Sequence, residues 1–398
     1  MESYIRSLSE QFPAILVTGP RQVGKTTMLR HISAADRKYV SLDEPAARDL
    51  ALREPALFLA KYAPPVLIDE IQYAPRLLPL IKLAVDADGS KGGYWLTGSQ
   101  VFWMMKGVSE SLAGRMAVVQ LLGLSERERA GKESVPFNPE AFSAAGGGTS
   151  AGAMSLRALY ERIFRGSMPA LYAGVTDRDA FYNGYVATYI ERDIRALTQV
   201  ADEMKFYRFL VACAGRTGGI LNYADLASDA DVSQPTAKSW LSLLVSTGIV
   251  YLLYPYYGNA LKRAIKTPKL YFTDTGLCAF LTRWDSPESL ENGAMNGAVF
   301  ETYAISEILK SYYFAGLRPP MYYFRDTERR EIDLILEKNM TLYPVEIKKS
   351  ANPGRRAVKH FDLLEKTGPA VGTGAVICFS DTVMPIDAKN VAIPIGML

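Results

Sequence analysis

Short apolar runs, each ending in polar or glycine residues, mark the first quarter of the chain. Three of them are AILVTGP at 14–20, PPVLIDEIQ at 64–72 and GYWLTGSQ at 93–100. Runs that are apolar without alternation are typical of parallel strands that are covered on both faces. The segment RQVGKTTMLRHIS at 21–33 follows the first run as a glycine turn that opens a helix. The pattern predicts a parallel sheet in an α/β domain.

The segment from 155 to 218 is rich in helix formers and carries a stripe of large side chains at helical spacing. The stripe consists of Tyr182, Tyr185, Tyr189 and Ile190. A stripe of this kind on one helix face is usually buried. We therefore expect these residues to belong to a hydrophobic core.

Residues 221–266 show the order helix, turn, helix and two-stranded hairpin. Leu226 and Ala227 are predicted to face inward from the first helix, and Ser233 is predicted to cap the second. The residues that the second helix is predicted to bury are Trp240, Leu241 and Leu244. This order is the outline of a winged helix.

The exposed side of this winged-helix outline has few groups suited to nucleic acid. The second helix offers Gln234, Thr236, Lys238 and Ser239. The strand from 249 to 255 leads through Gly258 and Asn259 to a basic return, whose charged residues are Lys262, Arg263 and Lys266. Such side chains donate hydrogen bonds to bases and phosphates. Contact with DNA, docking of a protein and a purely architectural role all remain open.

From residue 296 onward the pattern predicts a helix, three strands, a helix and two strands. The first helix is NGAVFETYAISEILKSYYF at 296–314, and the three strands are MYYFRD at 321–326, EIDLILEK at 331–338 and LYPVEIKKS at 342–350. Because side chains alternate along a strand, Glu331 and Asp333 share one face of the second strand. For the same reason Glu346 and Lys348 share a face of the third. This order predicts a second α/β domain.

Composition argues against two classes of protein. No run of about 18 apolar residues occurs, and the first 20 residues lack the basic and apolar parts of a signal peptide, so we expect neither a membrane span nor export. The three cysteines, Cys213, Cys278 and Cys378, form no C-x-x-C pair, which fits a reducing cytoplasm. With a formal net charge of only +3, any nucleic acid must be bound by a local basic surface.

The turn after the first strand has the P-loop spacing of a glycine, four residues, and then Gly24, Lys25 and Thr26. In this motif the backbone N–H groups surround the phosphates, the lysine reaches the β and γ oxygens, and the hydroxyl ligates Mg²⁺. We therefore predict a site for a nucleoside triphosphate with Mg²⁺. The residues predicted to bind the nucleotide are Gly19, Pro20, Arg21, Gln22, Val23, Gly24, Lys25, Thr26 and Thr27.

Further polar residues are predicted to meet the nucleotide from other elements. Asp69 and Glu70 end the second apolar run, and the carboxyl ends of parallel strands face ligands. Asp69 is predicted to hold Mg²⁺, and Glu70 to orient and polarise the attacking water. Ser99, at the end of the third run, is predicted to sense the γ-phosphate. Arg115 is predicted either to act on the γ-phosphate of a neighbouring subunit or to be a surface arginine beside a turn.

A metal site that cuts phosphodiesters is predicted in the C-terminal domain. Asp333, Glu346 and the Ile347 carbonyl have oxygen atoms that suit Mg²⁺, and Glu301 on the preceding helix can complete the set. Lys348 is predicted to activate the attacking water or to stabilise the charge that develops on the phosphate. A strand with one wet polar face produces the same E-x-K pattern by chance, so this alternative stays open. Candidates for steering a phosphate backbone toward the site are Arg355, Arg356, Lys359 and His360.

Two resemblances to known families follow from these motifs. The segment Gly19-Pro-Arg-Gln-Val-Gly-Lys-Thr-Thr with Leu67-Ile-Asp-Glu resembles the AAA-type ATPases, in particular a compact bacterial and archaeal branch that has a C-terminal domain of unknown function. This resemblance implies ATP rather than GTP. Asp333 followed by Glu346-x-Lys348 resembles the PD-(D/E)XK nucleases, particularly the Holliday-junction-resolvase-like branch, although Ile-Asp replaces the usual Pro-Asp.

A length of 398 residues exceeds what one hydrophobic core usually supports. The predicted parts are an AAA-type ATPase domain at 1–142, a Gly/Ser-rich linker at 143–155, a helical and winged-helix-like domain at 156–290 and a nuclease-like domain at 291–398. Glu191, Arg192 and Asp193 resemble a charged cluster that follows the ATPase core in the AAA-type branch. Because an arginine from a neighbour requires a neighbour, we expect a homo-oligomer, with a hexamer as one candidate.

Two functions are compatible with these expectations. In the first, ATP hydrolysis is coupled to the binding, remodelling or cleavage of branched or duplex DNA. In the second, the chain is an ATP-dependent switch that binds protein partners, and its nuclease-like fold is catalytically silent. Stimulation of ATP turnover by DNA distinguishes the two.

Overall fold

The chain forms two compact units. The computed structural model describes residues 1–99, 112–143, 154–189, 202–256 and 267–398. The first unit comprises Met1–Leu124, Leu243–Ile249 and Tyr313–Leu317. The second comprises Ser125–Ser242, Val250–Tyr312 and Arg318–Leu398. The four-part division predicted from the sequence stays a prediction.

The first unit contains a parallel sheet, as the apolar runs predict. Its strands are β1 (Ala14–Thr18), β2 (Lys38–Ser41), β3 (Val66–Asp69), β4 (Tyr94–Gly98) and β5 (Met116–Gln120). Their order across the sheet is β2-β3-β4-β1-β5, and all neighbours are parallel. The mixed α/β class with an N-terminal parallel sheet is therefore confirmed.

Helices cover this sheet and bury the apolar strands. Within the described residues they are α1 (Glu2–Gln11), α2 (Lys25–Ile32), α3 (Pro45–Arg53), α4 (Pro55–Lys61) and α5 (Leu77–Asp88). Leu16 of β1 and Leu96 of β4 are fully buried and belong to one hydrophobic cluster with Phe58 of α4 and Ile81 of α5. Because the strands are covered by this packing, their carboxyl ends are the places where polar groups can meet a ligand.

The second unit begins with helices. In the described residues before its large sheet they are α6 (Glu126–Arg129), α7 (Glu140–Ser143), α8 (Leu156–Arg165), α9 (Arg178–Tyr189), α10 (Glu203–Ala214), α11 (Tyr223–Asp229), α12 (Gln234–Ser246), α13 (Thr275–Leu281), α14 (Pro287–Asn292) and α15 (Asn296–Phe314). The last residues of α12 and α15, 243–246 and 313–314, belong to the first unit. Residues Pro169–Tyr172 form a 3₁₀ turn after α8. Tyr182 and Tyr185 of α9 are buried, which confirms that part of the predicted core stripe.

The elements predicted around α11 and α12 are present, although the winged-helix assignment stays a prediction. Leu226 and Ala227 are buried, and the Ser233 hydroxyl accepts a hydrogen bond of 3.2 Å from the Thr236 amide, as expected of a helix cap. The predicted inward residues of α12 that are buried are Trp240, Leu241 and Leu244. Two antiparallel strands follow, β6 (Val250–Leu253) and β7 (Lys269–Phe272).

The large sheet of the second unit combines antiparallel and parallel strands. Its strands are β8 (Met321–Arg325), β9 (Glu331–Lys338), β10 (Thr341–Ile347), β11 (Ala370–Val371), β12 (Gly374–Cys378), β13 (Met384–Pro385) and β14 (Asn390–Pro394). The order is β13-β14-β12-β10-β9-β8, and β11 pairs with β10. β8, β9 and β10 form an antiparallel meander, and β12 and β14 continue from β10 as parallel strands.

The structure corrects one expectation for this region. The helix predicted between the third and fourth of its strands is replaced by two 3₁₀ segments, Arg355–Val358 and Phe361–Thr367. The buried side chains there are Val358, Phe361 and Leu364, and a spacing of three residues suits the three-residue turn of a 3₁₀ helix. In addition, Asp333 on the polar face of β9 is buried, at only 8% exposure.

Among the described helices, none combines the length and the apolar character that a membrane crossing needs.

Candidate functional site

The P-loop joins β1 to α2 at the carboxyl edge of the parallel sheet. Gly24 caps α2 with a left-handed φ of 90°, and Gln22 has a φ of 60°. The buried Lys25 ammonium donates hydrogen bonds to the carbonyls of Gly19 at 3.0 Å and Pro20 at 2.7 Å. The loop therefore curls around its own lysine, so that the amino end of α2 and a positive charge lie together.

Gly19 is required by the close approach of a neighbouring strand end. A Cβ atom at this position would lie 1.9 Å from the Leu121 carbonyl oxygen, and the φ of Gly19 is +139°. A Cβ atom so close to a carbonyl oxygen would clash with it, so no side chain fits at this position. A φ of this value is adopted mainly by glycine. The first glycine of the motif thus lets the loop pass directly beside the residue that follows β5.

Asp69, at the end of β3, is the centre of a hydrogen-bond network. Its Oδ1 accepts hydrogen bonds from the Thr26 hydroxyl at 2.6 Å and from the Thr97 hydroxyl. Its Oδ2 accepts one from the Tyr39 hydroxyl at 3.3 Å. Burial and the Asp69 charge raise the pKa of Tyr39, so this phenol stays a neutral donor. The structure therefore brings the two residues predicted to hold Mg²⁺, Thr26 and Asp69, into direct contact.

Glu70 has an unusual backbone conformation. Its φ of 57° and ψ of 48° lie in the left-handed region, which a non-glycine residue occupies only when its surroundings hold it there. Its amide donates to the Thr97 hydroxyl at 3.1 Å, and its carboxylate accepts a hydrogen bond from the Gln72 amide. The same Gln72 amide lies 3.4 Å from the hydroxyl of the buried Ser99. Glu70 and Ser99 thus lie at one edge, as predicted.

Thr97 and Gln72 are residues of this site that the sequence analysis does not identify. The buried Thr97 hydroxyl contacts both acidic positions, Asp69 and the Glu70 amide. Its position depends on the pairing of β4 with β3, in which Leu96 lies beside Ile68. The sequence feature that could have indicated Thr97 is its place as a threonine in an otherwise apolar strand, two residues before Ser99.

The donor atoms at this edge suit a nucleoside triphosphate and Mg²⁺. The Thr26 hydroxyl and the Asp69 carboxylate are hard oxygen ligands, which Mg²⁺ prefers. The loop amides and Lys25 suit the phosphates. When bound, Mg²⁺ would neutralise part of the phosphate charge. The individual roles of Lys25, Glu70 and Ser99 stay predictions.

Arg115 lies at the amino ends of the strands of this sheet, opposite the carboxyl ends where the P-loop lies. It precedes β5, and its carbonyl accepts a hydrogen bond of 3.3 Å from the amide of Ala14, the first residue of β1. Its guanidinium is paired with Asp86. A strand of five residues is roughly 16 Å long, so Arg115 cannot reach the P-loop that follows β1 in the same chain. Any role on a γ-phosphate must therefore be played at another subunit's site.

In the second unit, β9 and β10 bring three of the predicted nuclease residues together. The Lys348 ammonium lies 3.1 Å from Asp333 Oδ2 and 2.5 Å from Glu346 Oε2. The Ile347 amide also donates to Asp333 Oδ2, at 2.9 Å. The Asp333 and Glu346 side chains are hydrogen-bonded to each other. We call Asp333, Glu346 and Lys348 the carboxylate–lysine centre.

Burial and charge give the two carboxyl groups of this centre different proton affinities. Burial, assisted by the charge of Asp333, raises the pKa of Glu346 to about 9, so this group is protonated at neutral pH. For Asp333, burial acts to raise the pKa, but the charges of Lys348 and Lys269 outweigh burial and lower it. The pair therefore holds one proton, which is the expected behaviour of two carboxyl groups in contact.

A second buried lysine lies beside the centre. Lys269 is only 3% exposed, and its ammonium pairs with Glu301 at 3.1 Å and Glu331 at 2.6 Å. Glu301 also accepts a hydrogen bond of 2.5 Å from the Tyr271 hydroxyl. Burial raises the pKa of Glu301 in spite of the charge of Lys269. The predicted fourth ligand is thus held by a lysine and a tyrosine of β7.

The sequence analysis does not identify Lys269 and Tyr271. Their spacing of two residues places both on the same face of β7, which is the signal that could have found them. Across the described residues, no group of three or more His, Cys, Asp or Glu side chains is arranged to hold a metal ion. The metal-ligand roles of Asp333, Glu346 and Glu301 stay predictions.

Several residues singled out from the sequence lie outside the described residues. They are Ile190, Glu191, Arg192, Asp193, Gly258, Asn259, Lys262, Arg263 and Lys266, together with the side chain of Tyr189. Arg355, Arg356 and Lys359 are described, and all three are exposed.

Three family models match successive parts of the chain. Residues 11–130 match an AAA domain. Residues 156–288 and 296–398 match two domains of unknown function, DUF8612 and DUF4143. With the P-loop geometry, the first match identifies an AAA-type P-loop ATPase domain in this chain.

Two curated mycobacterial proteins are similar to most of this chain. They are the uncharacterized proteins Rv2008c of Mycobacterium tuberculosis and Mb2031c of Mycobacterium bovis. Each is 30% identical over 353 residues, which cover 88% of this chain and 73% of the relative.

Solved structures give weaker likenesses. The Walker-type ATPase PABY2304 of Pyrococcus abyssi is 14% identical, with 70% of this chain and 94% of that chain covered and a TM-score of 0.42. A point variant of Thermotoga maritima RuvB is 17% identical, with 63% and 85% covered and a TM-score of 0.30.

Proposed function

We propose that this chain, which belongs to the same family as the mycobacterial protein Rv2008c and has an AAA-type P-loop ATPase domain, couples ATP hydrolysis to the binding and cleavage of DNA. The carboxylate–lysine centre carries the cleavage part of this proposal. Burying two carboxyl groups costs free energy even when a lysine pairs with them, and buried titratable groups of this kind are found most often at functional sites. A site for phosphodiester hydrolysis is the function that this set of groups suits best.

The donor set of the centre fits a divalent cation. Mg²⁺ is commonly held by one or two carboxylates together with phosphate oxygens of the substrate. Asp333 and Glu346 are hydrogen-bonded to each other, so both can reach one ion, and Glu346 would release its proton on binding. When bound, the ion would polarise a phosphate oxygen and stabilise developing charge.

The remaining residues have roles that follow from their positions. Lys348 touches both carboxyl groups and can stabilise negative charge on a phosphate beside them. The exposed Arg355, Arg356 and Lys359 follow β10 in the sequence and can attract a phosphate backbone. The exposed Gln234, Lys238 and Ser239 of α12 are the candidates for a second DNA contact.

A cleavage assay tests this proposal. Duplex, flapped and four-way DNA substrates are incubated with the full chain and Mg²⁺ or Mn²⁺, and we expect at least one to be nicked. Ca²⁺ should permit binding without cutting, because its coordination is larger and less rigid. Asp333→Ala and Lys348→Ala should each abolish cutting and leave ATP turnover unchanged.

Lys349→Ala is the matched control for the lysine variant. Lys349 is the next residue along the chain, is exposed, and donates to the Glu291 carbonyl at 2.7 Å rather than to the centre. Its substitution should leave cutting intact. If the wild-type chain binds DNA but nicks none of these substrates with either metal, the cleavage part of the proposal is wrong.

One observation favours a second candidate function, a switch that docks protein partners through a silent nuclease-like fold. Lys269 and Lys348 already pair with Glu301, Glu331, Asp333 and Glu346, so most of the buried negative charge is balanced within the protein. A site balanced in this way is stable without a metal ion. Under this alternative, DNA affects neither ATP turnover nor the carboxylate–lysine centre.

A further inference from the structure

A cavity of about 430 Å³ lies within the second unit, apart from both sites described above. Residues of α6, α8, the 3₁₀ turn Pro169–Tyr172 and the start of α9 contribute to its wall. Four arginines line it: Arg129, Arg162, Arg165 and Arg178. Four guanidinium groups around one cavity are a strong signal for an anionic ligand, because each presents a planar fork of N–H donors.

Aromatic rings hold three of these guanidinium groups in place. The Arg129 Cζ atom lies 4.2 Å from the centroid of the Tyr172 ring, and the Arg165 Cζ atom lies 5.6 Å from the same centroid. Arg178 lies over the Phe164 ring at 3.8 Å, and its Nε donates to the Phe164 carbonyl at 2.6 Å. Stacking and hydrogen bonding reduce the entropy that each arginine would lose on binding an anion.

The carboxylates near the cavity do not balance its arginines one for one. Glu126 is shared, because it pairs with both Arg129 and Arg162, and Glu161, which also lines the wall, pairs with Arg157. Arg165 is exposed and pairs with no carboxylate among the residues that the structure describes. Arg178 pairs with Asp179, and burial lowers the pKa of its guanidinium although the charge of Asp179 opposes this effect. An anion in the cavity would therefore gain interactions that the protein does not itself supply.

The rest of the wall and the volume limit the kind of anion. Leu171, Val175 and Pro287 add apolar surface beside the arginines. The volume falls within the usual range for small-molecule sites and exceeds what a lone inorganic phosphate would fill. A ligand that fits this cavity has an anionic group that contacts the arginines and an apolar or aromatic body that contacts Leu171, Val175 and Pro287.

We propose that this cavity binds a small organic phosphate, with the phosphate at the four arginines and the organic body against Leu171, Val175 and Pro287. Phosphate is favoured over carboxylate because its oxygens point in several directions and can meet more than one guanidinium fork. Three of the four arginines and the apolar part of the wall lie in residues that match DUF8612, a domain of unknown function, and Arg129 precedes that match. The proposed ligand is separate from the ATP at the P-loop.

Titration calorimetry with phenyl phosphate tests this site. The full chain carries Lys25→Ala, so that phosphate binding at the P-loop is suppressed, and inorganic phosphate and benzoate are titrated separately. We expect phenyl phosphate to bind with one site per chain, about tenfold tighter than either comparison compound. Arg165→Ala should weaken this binding about tenfold, and Arg165→Lys should lie between, because lysine keeps the charge and loses the fork.

Arg127→Ala is the matched control. Arg127 is on α6, as is Arg129, but outside the wall of this cavity, and its Nε donates to the Glu133 carbonyl at 2.8 Å. Its substitution should change the affinity less than about twofold, because it removes a charge that does not line the cavity. Each of three results overturns the proposal: no saturable binding of phenyl phosphate, equal affinity in Arg165→Ala, or a preference for benzoate or for inorganic phosphate.

Discussion

Glu70 is held in a conformation that its own residue type disfavours. A left-handed backbone at a non-glycine residue costs about 1–3 kcal/mol and is found where the surroundings fix it. Here the Thr97 hydroxyl accepts from the Glu70 amide, and Gln72 holds the carboxylate. The position directly after Asp69 and beside the P-loop fits the predicted role of Glu70 in orienting water.

Substitutions at Glu70 and Lys25 should separate ATP hydrolysis from ATP binding. Glu70→Gln keeps the size of the side chain and removes its basicity, so we expect ATP affinity near that of wild type and turnover reduced at least about 100-fold. Lys25→Ala removes charge from the phosphates, so we expect weaker ATP binding. Equilibrium binding and phosphate release measure the two effects. Substantial turnover by Glu70→Gln would remove Glu70 from the catalytic role.

Thr97 is expected to position both acidic residues without contacting the nucleotide. Thr97→Val keeps the shape but leaves the Glu70 amide without its partner, at a cost of about 1–3 kcal/mol. We expect kcat to fall roughly tenfold and KM for ATP to change little. Thr97→Ser, which retains the hydroxyl, should restore most of kcat. An equal loss in both variants would show that packing, rather than the hydrogen bonds, is what matters at this position.

At the level of single residues, local motifs could be predicted and contacts between strands could not. The P-loop residues follow one another in the sequence, and their spacing alone predicts their role. The roles of Thr97 and Lys269 depend on which strands become neighbours. Local spacing indicates the face on which each residue lies, but not the residues that it meets on other strands. The alternation in β9 and β10 likewise predicts which residues share a face, but not that the face of Asp333 is buried.

Among the elements, α13 is connected to α9 and to Ser167, which follows α8, by hydrogen bonds to the buried Asp274 carboxylate. Asp274 caps α13 by accepting from the Leu277 amide at 2.6 Å. It also accepts from the Ser167 amide at 2.6 Å, the Ser167 hydroxyl at 2.8 Å and the Tyr182 hydroxyl at 2.8 Å. Each of its oxygens therefore serves two donors, which only a carboxylate can do.

Asp274→Asn should weaken the hydrogen bonds that connect α13 to α9 and to Ser167. One of the two side-chain atoms becomes a donor, so two buried donors lose their acceptor, and we expect a local loss of stability of about 3 kcal/mol. Amide hydrogen exchange in Thr275–Leu281 measures this loss directly. Asp225→Asn makes the same chemical change at an exposed position and should leave the exchange rates near wild type. Unchanged protection of α13 in Asp274→Asn would contradict this role.

At the scale of elements, the sequence predicts strand order along the chain better than helix type. The run after β10 has helix formers, but Val358, Phe361 and Leu364 pack at a spacing of three, and two 3₁₀ segments result. Tertiary packing decides between an α-helix and a 3₁₀ helix when a segment is short, because propensity differences there are small. The strands of the first unit are predicted well, because a strand that is buried on both faces is a short, continuous apolar run that is easy to identify in the sequence.

For the molecule as a whole, the predicted role of Arg115 requires an assembly. This residue and the P-loop lie at opposite edges of one sheet, so Arg115 can serve a nucleotide only on a neighbouring chain. Arg115→Ala should then abolish turnover and leave ATP affinity nearly intact. Mixing this variant with Lys25→Ala should restore part of the turnover, because each chain supplies what the other lacks. Full activity of wild-type monomers at high dilution would refute the idea.

The coupling of the two units is tested most directly by ATP turnover in the presence of DNA. Phosphate release by the full chain is measured without nucleic acid and with single strands, duplexes and four-way junctions, at two salt concentrations, with Glu70→Gln as the blank. We expect at least one DNA to raise turnover several-fold, and more strongly at low salt, because phosphate contacts weaken as salt rises. Turnover that is the same with every nucleic acid, at both salt concentrations, would contradict a DNA-coupled ATPase and favour the protein-docking switch.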